Sequence, residues 1–254
     1  MTEPATAEPG EAPGLRAPEA LTEAGEPSAH GPGWGPALGE PTILLLLRHG
    51  ETPMSTERRF AGKGDIPLTR HGVRQAAQAA KRLARSGVDV VVSSPLRRAA
   101  DTAQAVAEAA RVPLVIEEDF AEADFGEWEG LTFAEAGQRW PDELAAWLAS
   151  PDASPPGGES FAMVALRVLA GLDRLLESHR HQTIVVVSHV TPIKTLVCRA
   201  LLAPPEAMFR MNLDVSSLSR IDLFDNGASL LRSLNDTGHL RRRGLSAART
   251  IVSR

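Results

Sequence analysis

The chain has 254 residues, is 43% apolar and carries a formal net charge of -5, which suits one large domain or two small ones and argues against a general affinity for nucleic acid. Its single cysteine, Cys198, excludes a disulfide framework and points to a reducing cytoplasm. No apolar run approaches the length of a membrane-spanning helix, and the acidic, proline-bearing start lacks the basic-then-apolar order of a signal peptide.

Residues 1–41 stand apart. They hold eight of the 19 prolines and seven acidic residues against Arg16 alone. Such a segment, without apolar periodicity, buries too little surface to offset its ordering entropy, and it is predicted to be disordered. Trp34, in GPGWGP, is its one candidate docking residue, though a lone exposed aromatic more often has no role. Folded sequence begins at Thr42 with TILLLL, a short continuous apolar run that fits a parallel strand buried on both faces. PLTRHGVRQAAQAAKRLARSG then predicts a helix capped by Thr69, with Val73, Ala76, Ala80 and Leu83 buried and Gly87 as its stop. VDVVVSS is a second strand. PLRRAADTAQAVAEAA is a second helix, with Ser94 as N-cap and Pro95 in the first position.

VPLVIEEDF reads as another strand, and Thr132 with Glu135 has capping-box spacing ahead of FAEAGQRW. Phe161, Val164, Val168, Leu172 and Leu175 mark the stripe of a long helix. It is entered from SPPGGES, read as a lid loop whose Glu159 and Ser160 either line a pocket or start the helix. TIVVVSH is a further strand, followed by a helix over residues 191–202. SLSRIDLFDNGASLLRSL alternates around Asn226-Gly227, a hairpin signal. Strands alternating with helices predict a three-layer α/β/α sandwich over residues 42–240, with a mostly parallel central sheet and an antiparallel edge. An arginine-rich tail over residues 241–254 is expected to fray.

Several apolar strands end in reactive residues: Arg48-His49-Gly50, then Ser93-Ser94 followed by Arg97 and Arg98, then Ser188-His189. Ligands of open α/β sheets bind at the carboxyl ends of strands. If these strands are parallel neighbours, Arg48, His49, Arg98 and His189 converge on one anion site. Helix starts at Pro95 and Thr191 would add their N–H groups. Guanidinium forks match phosphoryl oxygens, and a neutral imidazole is a competent nucleophile toward phosphorus. Gly50 is read as allowing close backbone approach to the substrate.

These residues resemble the histidine phosphatases, the phosphoglycerate mutase-like superfamily. LRHGET matches its defining motif. RFAGKGDIPLTRHGVRQA, SSPLRRAADTA, EADFGEWEG and VVVSH match four further motifs in the family's order, across about 200 residues. The resemblance implies that His49 accepts the phosphoryl group as phosphohistidine, while Arg48, Arg98 and His189 hold its oxygens. It implies that Glu122, four residues before Gly126, is the acid and then the base. Arg59, Thr52, Gly50 and Ser55 would lie near the phosphate. The spacing before Ala99 favours Arg98 over Arg97. The spacing to Gly126 favours Glu122 over Glu117, Glu118, Glu127 and Glu129.

No metal or other cofactor is implied, since side chains supply the positive charge. Ser55, where many relatives have Asn, and Val190, where many have Gly, alter the rim rather than the reacting groups. The compact interval between Glu122 and His189 favours water over a second hydroxyl as acceptor, hence a phosphomonoesterase over a mutase. A catalytically silent binder of phosphorylated ligands is the reading from another class. SHVTPIKTL and the downstream LDVSSLSRIDLFDNGASLLRSLNDTGHL are especially similar to the phosphatase half of actinobacterial bifunctional RNase H and acid phosphatase proteins, often linked to α-ribazole phosphatase activity. The N-terminal tail is too short for an RNase H domain, so that second activity is not expected. The expected partner is a small phosphorylated metabolite, with α-ribazole 5'-phosphate one candidate, and no nucleic acid or membrane. The oligomeric state is left open.

Overall fold

A computed structural model describes residues 39–243. The segment predicted to be disordered lies outside those residues but for its last three positions, and so does Trp34. The arginine-rich tail lies outside them beyond residue 243.

Six strands form one sheet: β1 (Thr42–Arg48), β2 (Val90–Ser93), β3 (Leu114–Ile116), β4 (Thr183–Ser188), β5 (Leu218–Leu223) and β6 (Ser229–Asp236), in the order β3-β2-β4-β1-β5-β6. β3, β2, β4 and β1 run parallel, and β5 and β6 are antiparallel additions at one edge. The helices are α1 (Pro53–Glu57), α2 (Arg70–Leu83), α3 (Arg97–Ala110), α4 (Phe133–Arg139), α5 (Pro141–Ala149), α6 (Phe161–Ser178) and α7 (Val190–Ala200).

The central strands lack a polar face because each face meets a helical layer. Leu44, Leu46, Ile184 and Val186 pack into one core with Val164 and Val168 of α6 and Leu196 of α7. The intervening Leu45, Leu47, Val185 and Val187 pack into a second core with Ala79 and Leu83 of α2 and Ala103 and Val106 of α3. Side chains alternate across a strand, so an unbroken apolar run serves both cores at once. This is the predicted three-layer sandwich. None of the helices described is long and apolar enough to cross a membrane.

Several details differ from the sequence reading, among them the strand read over VPLVIEEDF, which spans only Leu114–Ile116 before a 3-10 turn at Glu118–Phe120. Val73 is 57% exposed, and Gln75 is buried in its stead. The first turns of α2 face the polar backbone after β1, where Gln75 Oε1 accepts from Glu51 N–H at 2.8 Å, so an amide rather than a valine suits that spot. α3 begins at Arg97, not Pro95, and its N-cap Leu96 has no side-chain cap. Ser94 does not cap α3, because its Oγ accepts from Leu96 N–H at 3.2 Å, ahead of the first helical residue, while its own N–H donates to the Val187 carbonyl at 3.0 Å. The turn of the hairpin is as read, with Gly227 at φ +83°.

Candidate active site

Parallel register sets the site. Arg48 lies beside Ser188, and Ser93 beside Val187. The next residue of each strand, His49, Ser94 and His189, therefore emerges at the same end of the sheet. His49 N–H donates to the Ser188 carbonyl at 3.1 Å, and the His49 and His189 rings lie 5.1 Å apart between centroids.

His49 is 5% exposed. Its Nδ1 is 2.8 Å from the Gly50 carbonyl. A carbonyl only accepts, so the ring proton sits on Nδ1 and the lone pair on Nε2. Burial, then the Arg48 and Arg98 charges, hold the imidazole well below the usual histidine range, so it is neutral at physiological pH. His189 is fully buried and pushed down in the same way, by burial, then Arg98. Its Nε2 lies 2.7 Å from Ser94 Oγ, which accepts from Leu96 N–H. Ser94 has no other acceptor for its hydroxyl proton among the described residues, so that proton goes to Nε2 and Nδ1 carries the ring proton.

Arg48 Nη1 donates to the Leu213 carbonyl at 2.6 Å, and burial pushes its guanidinium down to about 10, offset by Glu122 and Asp214. Arg98 is fully buried, and donates to the carbonyls of Ala61, Gly62 and Gly64 at 2.7–3.1 Å. Both remain charged at neutral pH. Arg48 Nε, Arg98 Nε and His189 Nδ1 are buried without a hydrogen-bond partner among the described residues. Protein interiors seldom leave donors unpaired, and three around one imidazole suit an anion.

Glu122 is 5% exposed. Its carboxylate accepts from Val190 and Thr191 N–H at 3.1 and 3.2 Å, the first turn of α7, and from Ala123 N–H at 2.9 Å. The helix N-terminus expected to hold a phosphate is thus occupied by this carboxylate, which suits the positive dipole end. A Cβ on Gly50 would meet the Gly72 carbonyl oxygen at 2.6 Å, so a glycine there lets β1's end approach α2 closely.

A cavity of about 320 Å³ opens over His49. Of the residues singled out from the sequence, Arg48, His49, Thr52, Ser55, Arg59, Glu122 and Val190 line it, and Arg98, His189 and Gly50 are not among its lining residues. Thr52 and Ser55 cap α1 reciprocally. Arg59 is already paired with Glu57 at 2.7 Å and Glu135 at 2.9 Å, and these pairs raise its pKa further. Glu159 and Ser160 do not line the cavity. Ser160 caps α6, and Glu159 accepts from Asp124 N–H.

Three features escaped the sequence reading. Arg167 pairs with Glu159 and donates to the carbonyls of Asp119, Ala121 and Glu122 at 2.8–3.0 Å, holding the backbone that carries Glu122. Its signal was an arginine beside Val168 at the edge of the α6 stripe. Lys194 lines the cavity, and burial lowers its pKa. The sequence marks it as the first cation after His189, set among apolar and small residues. The cavity's aromatic residues, spread over 150 positions, left no local pattern.

Residues 44–237 match the model of the histidine phosphatase superfamily (branch 1). A Mycobacterium tuberculosis protein described as bifunctional is 49% identical over 210 residues, which are 82% of this chain and 58% of that protein. The chain thus spans little over half the length of that relative. The adenosylcobalamin/alpha-ribazole phosphatase of Escherichia coli is 34% identical over 76% of this chain and 95% of its own. The solved structure of a mycobacterial glucosyl-3-phosphoglycerate phosphatase superposes with a TM-score of 0.72 at 27% identity, covering 77% of this chain and all of that one.

Proposed function

We propose that this chain, which belongs to the histidine phosphatase superfamily, hydrolyses the phosphate monoester of a small metabolite through a phosphohistidine on His49. The observation that carries the reading is the pairing of a neutral imidazole, its Nε2 lone pair without a partner among the described residues, with buried donors on Arg48, Arg98 and His189 that are likewise unpaired among those residues.

Nε2 attacks phosphorus in line with the ester bond. The ester P–O bond breaks, its electron pair passes to the alcohol oxygen, and Glu122 gives that oxygen a proton. The guanidiniums of Arg48 and Arg98 offset charge on the transferring group, in a setting where burial strengthens each interaction. In the second step Glu122 takes a proton from water as the water oxygen attacks phosphorus. The N–P bond breaks, its electrons return to Nε2, and inorganic phosphate leaves. α-Ribazole 5'-phosphate is one candidate substrate, given the named activity of the Escherichia coli relative. Sugar phosphates and phosphoglycerate derivatives are others.

The test is p-nitrophenyl phosphate turnover by the wild type and His49→Ala, with acid-labile radiolabel sought on the protein during turnover. The wild type is expected to release free phosphate and carry label on His49, and the variant to do neither. Turnover that survives in the variant sinks the assignment. Phosphoglycerate isomerised without phosphate release would make the enzyme a mutase.

A further inference from the structure

The cavity over His49 is larger than a phosphoryl group fills, and much of its wall is aromatic. Five of the chain's seven phenylalanines, Phe60, Phe125, Phe133, Phe161 and Phe209, line it together with Trp147. That is a marked concentration in a chain that is 4% aromatic and has no tyrosine. The rings form one connected set. Phe60 lies 4.7 Å from Phe133, Phe133 6.0 Å from Trp147, Trp147 4.7 Å from Phe161, and Phe161 5.5 Å from Phe209.

Trp147 and Phe161 are buried, but Phe133 is 50% exposed and Phe209 38% exposed. A cluster serving only the core would close over such rings. Apolar rings left wet beside a cavity retain unrealised burial free energy, which a ligand with an apolar face recovers. They come from α4 and from the turn over Pro205–Arg210, so the opening is made by elements far apart in sequence.

We infer that this aromatic wall is a subsite for the alcohol portion of the substrate, and that the preferred phosphate esters carry a flat apolar or aromatic group rather than a small alkyl or polyol group. The inference rests on the phosphomonoesterase reading and narrows it. The aromatic side chains make contact with the ring, and Nε2 of His49, in the same cavity, meets the phosphoryl end.

2-Phenylethyl phosphate and ethyl phosphate have leaving alcohols of similar reactivity, so their difference in kcat/KM reports binding of the ring. The wild type is expected to prefer the ring-bearing ester by about ten- to a hundredfold, mainly through KM. Phe133→Ser and Phe209→Ser truncate exposed rings without opening the core, and each is expected to pull the preference toward parity. A wild-type preference below about threefold, or one kept intact in both variants, overturns the inference. If neither ester is turned over, the phosphomonoesterase reading stands or falls with p-nitrophenyl phosphate turnover, and calorimetric titration with 2-phenylethylphosphonate and ethylphosphonate tests the subsite alone. Tighter binding of the first that weakens in Phe133→Ser upholds it, and equal binding overturns it.

Discussion

At the scale of single residues, the site separates groups that react from groups that arrange them. His49 is oriented by a hydrogen bond to its neighbour's carbonyl, a local contact that needs no distant partner. Glu122 is held by the backbone of α7, and Arg167 fixes the chain behind it. If Glu122 moves the protons, Glu122→Gln keeps the shape of the side chain but cannot protonate an alcohol. Turnover of ethyl phosphate is expected to fall by about 10²- to 10⁴-fold. The phosphorylation step with p-nitrophenyl phosphate is expected to suffer far less, because p-nitrophenolate leaves without a proton. A burst of p-nitrophenol at wild-type rate followed by slow turnover is the signature. Equal loss of the burst rate and of ethyl phosphate turnover would assign Glu122 a purely structural part.

At the scale of elements, strand ends and helix starts are fitted so closely that two glycines share one contact. A Cβ on Gly50 would meet the Gly72 carbonyl oxygen at 2.6 Å, and one on Gly72 would clash with the Glu51 carbonyl oxygen. Both atoms belong to backbone, which yields little. Gly50→Ala is expected to cost about 1–3 kcal/mol by overpacking, read from urea unfolding, and to lower activity because His49 sits next in the chain. An unchanged unfolding midpoint would show that the junction gives way freely. A second element-scale fit joins Arg98 to the carbonyls of Ala61, Gly62 and Gly64. There α3 anchors the loop that leads from α1 toward α2, which a reading of Arg98 as a phosphate ligand alone does not convey.

At the scale of the whole molecule, the two-sided core buries the site's imidazoles, and this links stability to pH. His49 and His189 stay neutral in the folded chain, whereas unfolded they titrate near the ordinary value of 6.5. Unfolding below that pH takes up protons, so their contribution is complete above about pH 6.5 and is lost as the pH falls. Each ring is expected to add about 1.4 kcal/mol per pH unit to the loss. His239, lowered by burial and Arg82, adds in the same direction. Stability from denaturant unfolding should therefore decline between pH 6.5 and 5. His49→Gln, neutral at every pH, should show a slope shallower by about one ring's share. An unaltered slope would mean that His49 is charged in the folded state.

The sequence alone determined the layers and the order of elements, because runs such as Ile43 to Leu47 and Ile184 to Val187 have no polar face and must lie between two helical layers. It also determined which strand ends bear reactive groups, since Arg48, His49 and His189 follow those runs directly. It misplaced Val73 and the start of α3, where a polar backbone neighbour or a sheet hydrogen bond outweighed local preference. Only the tertiary structure decided that Glu122 rather than a ligand takes the α7 N-terminus, that Arg167 braces it, and that rings from Phe60 to Phe209 share one wall. The reason is range: periodicity and capping act over a few residues and are written in the order of the letters. The partners of a buried charge or an aromatic ring are chosen by packing between segments that the chain itself keeps far apart.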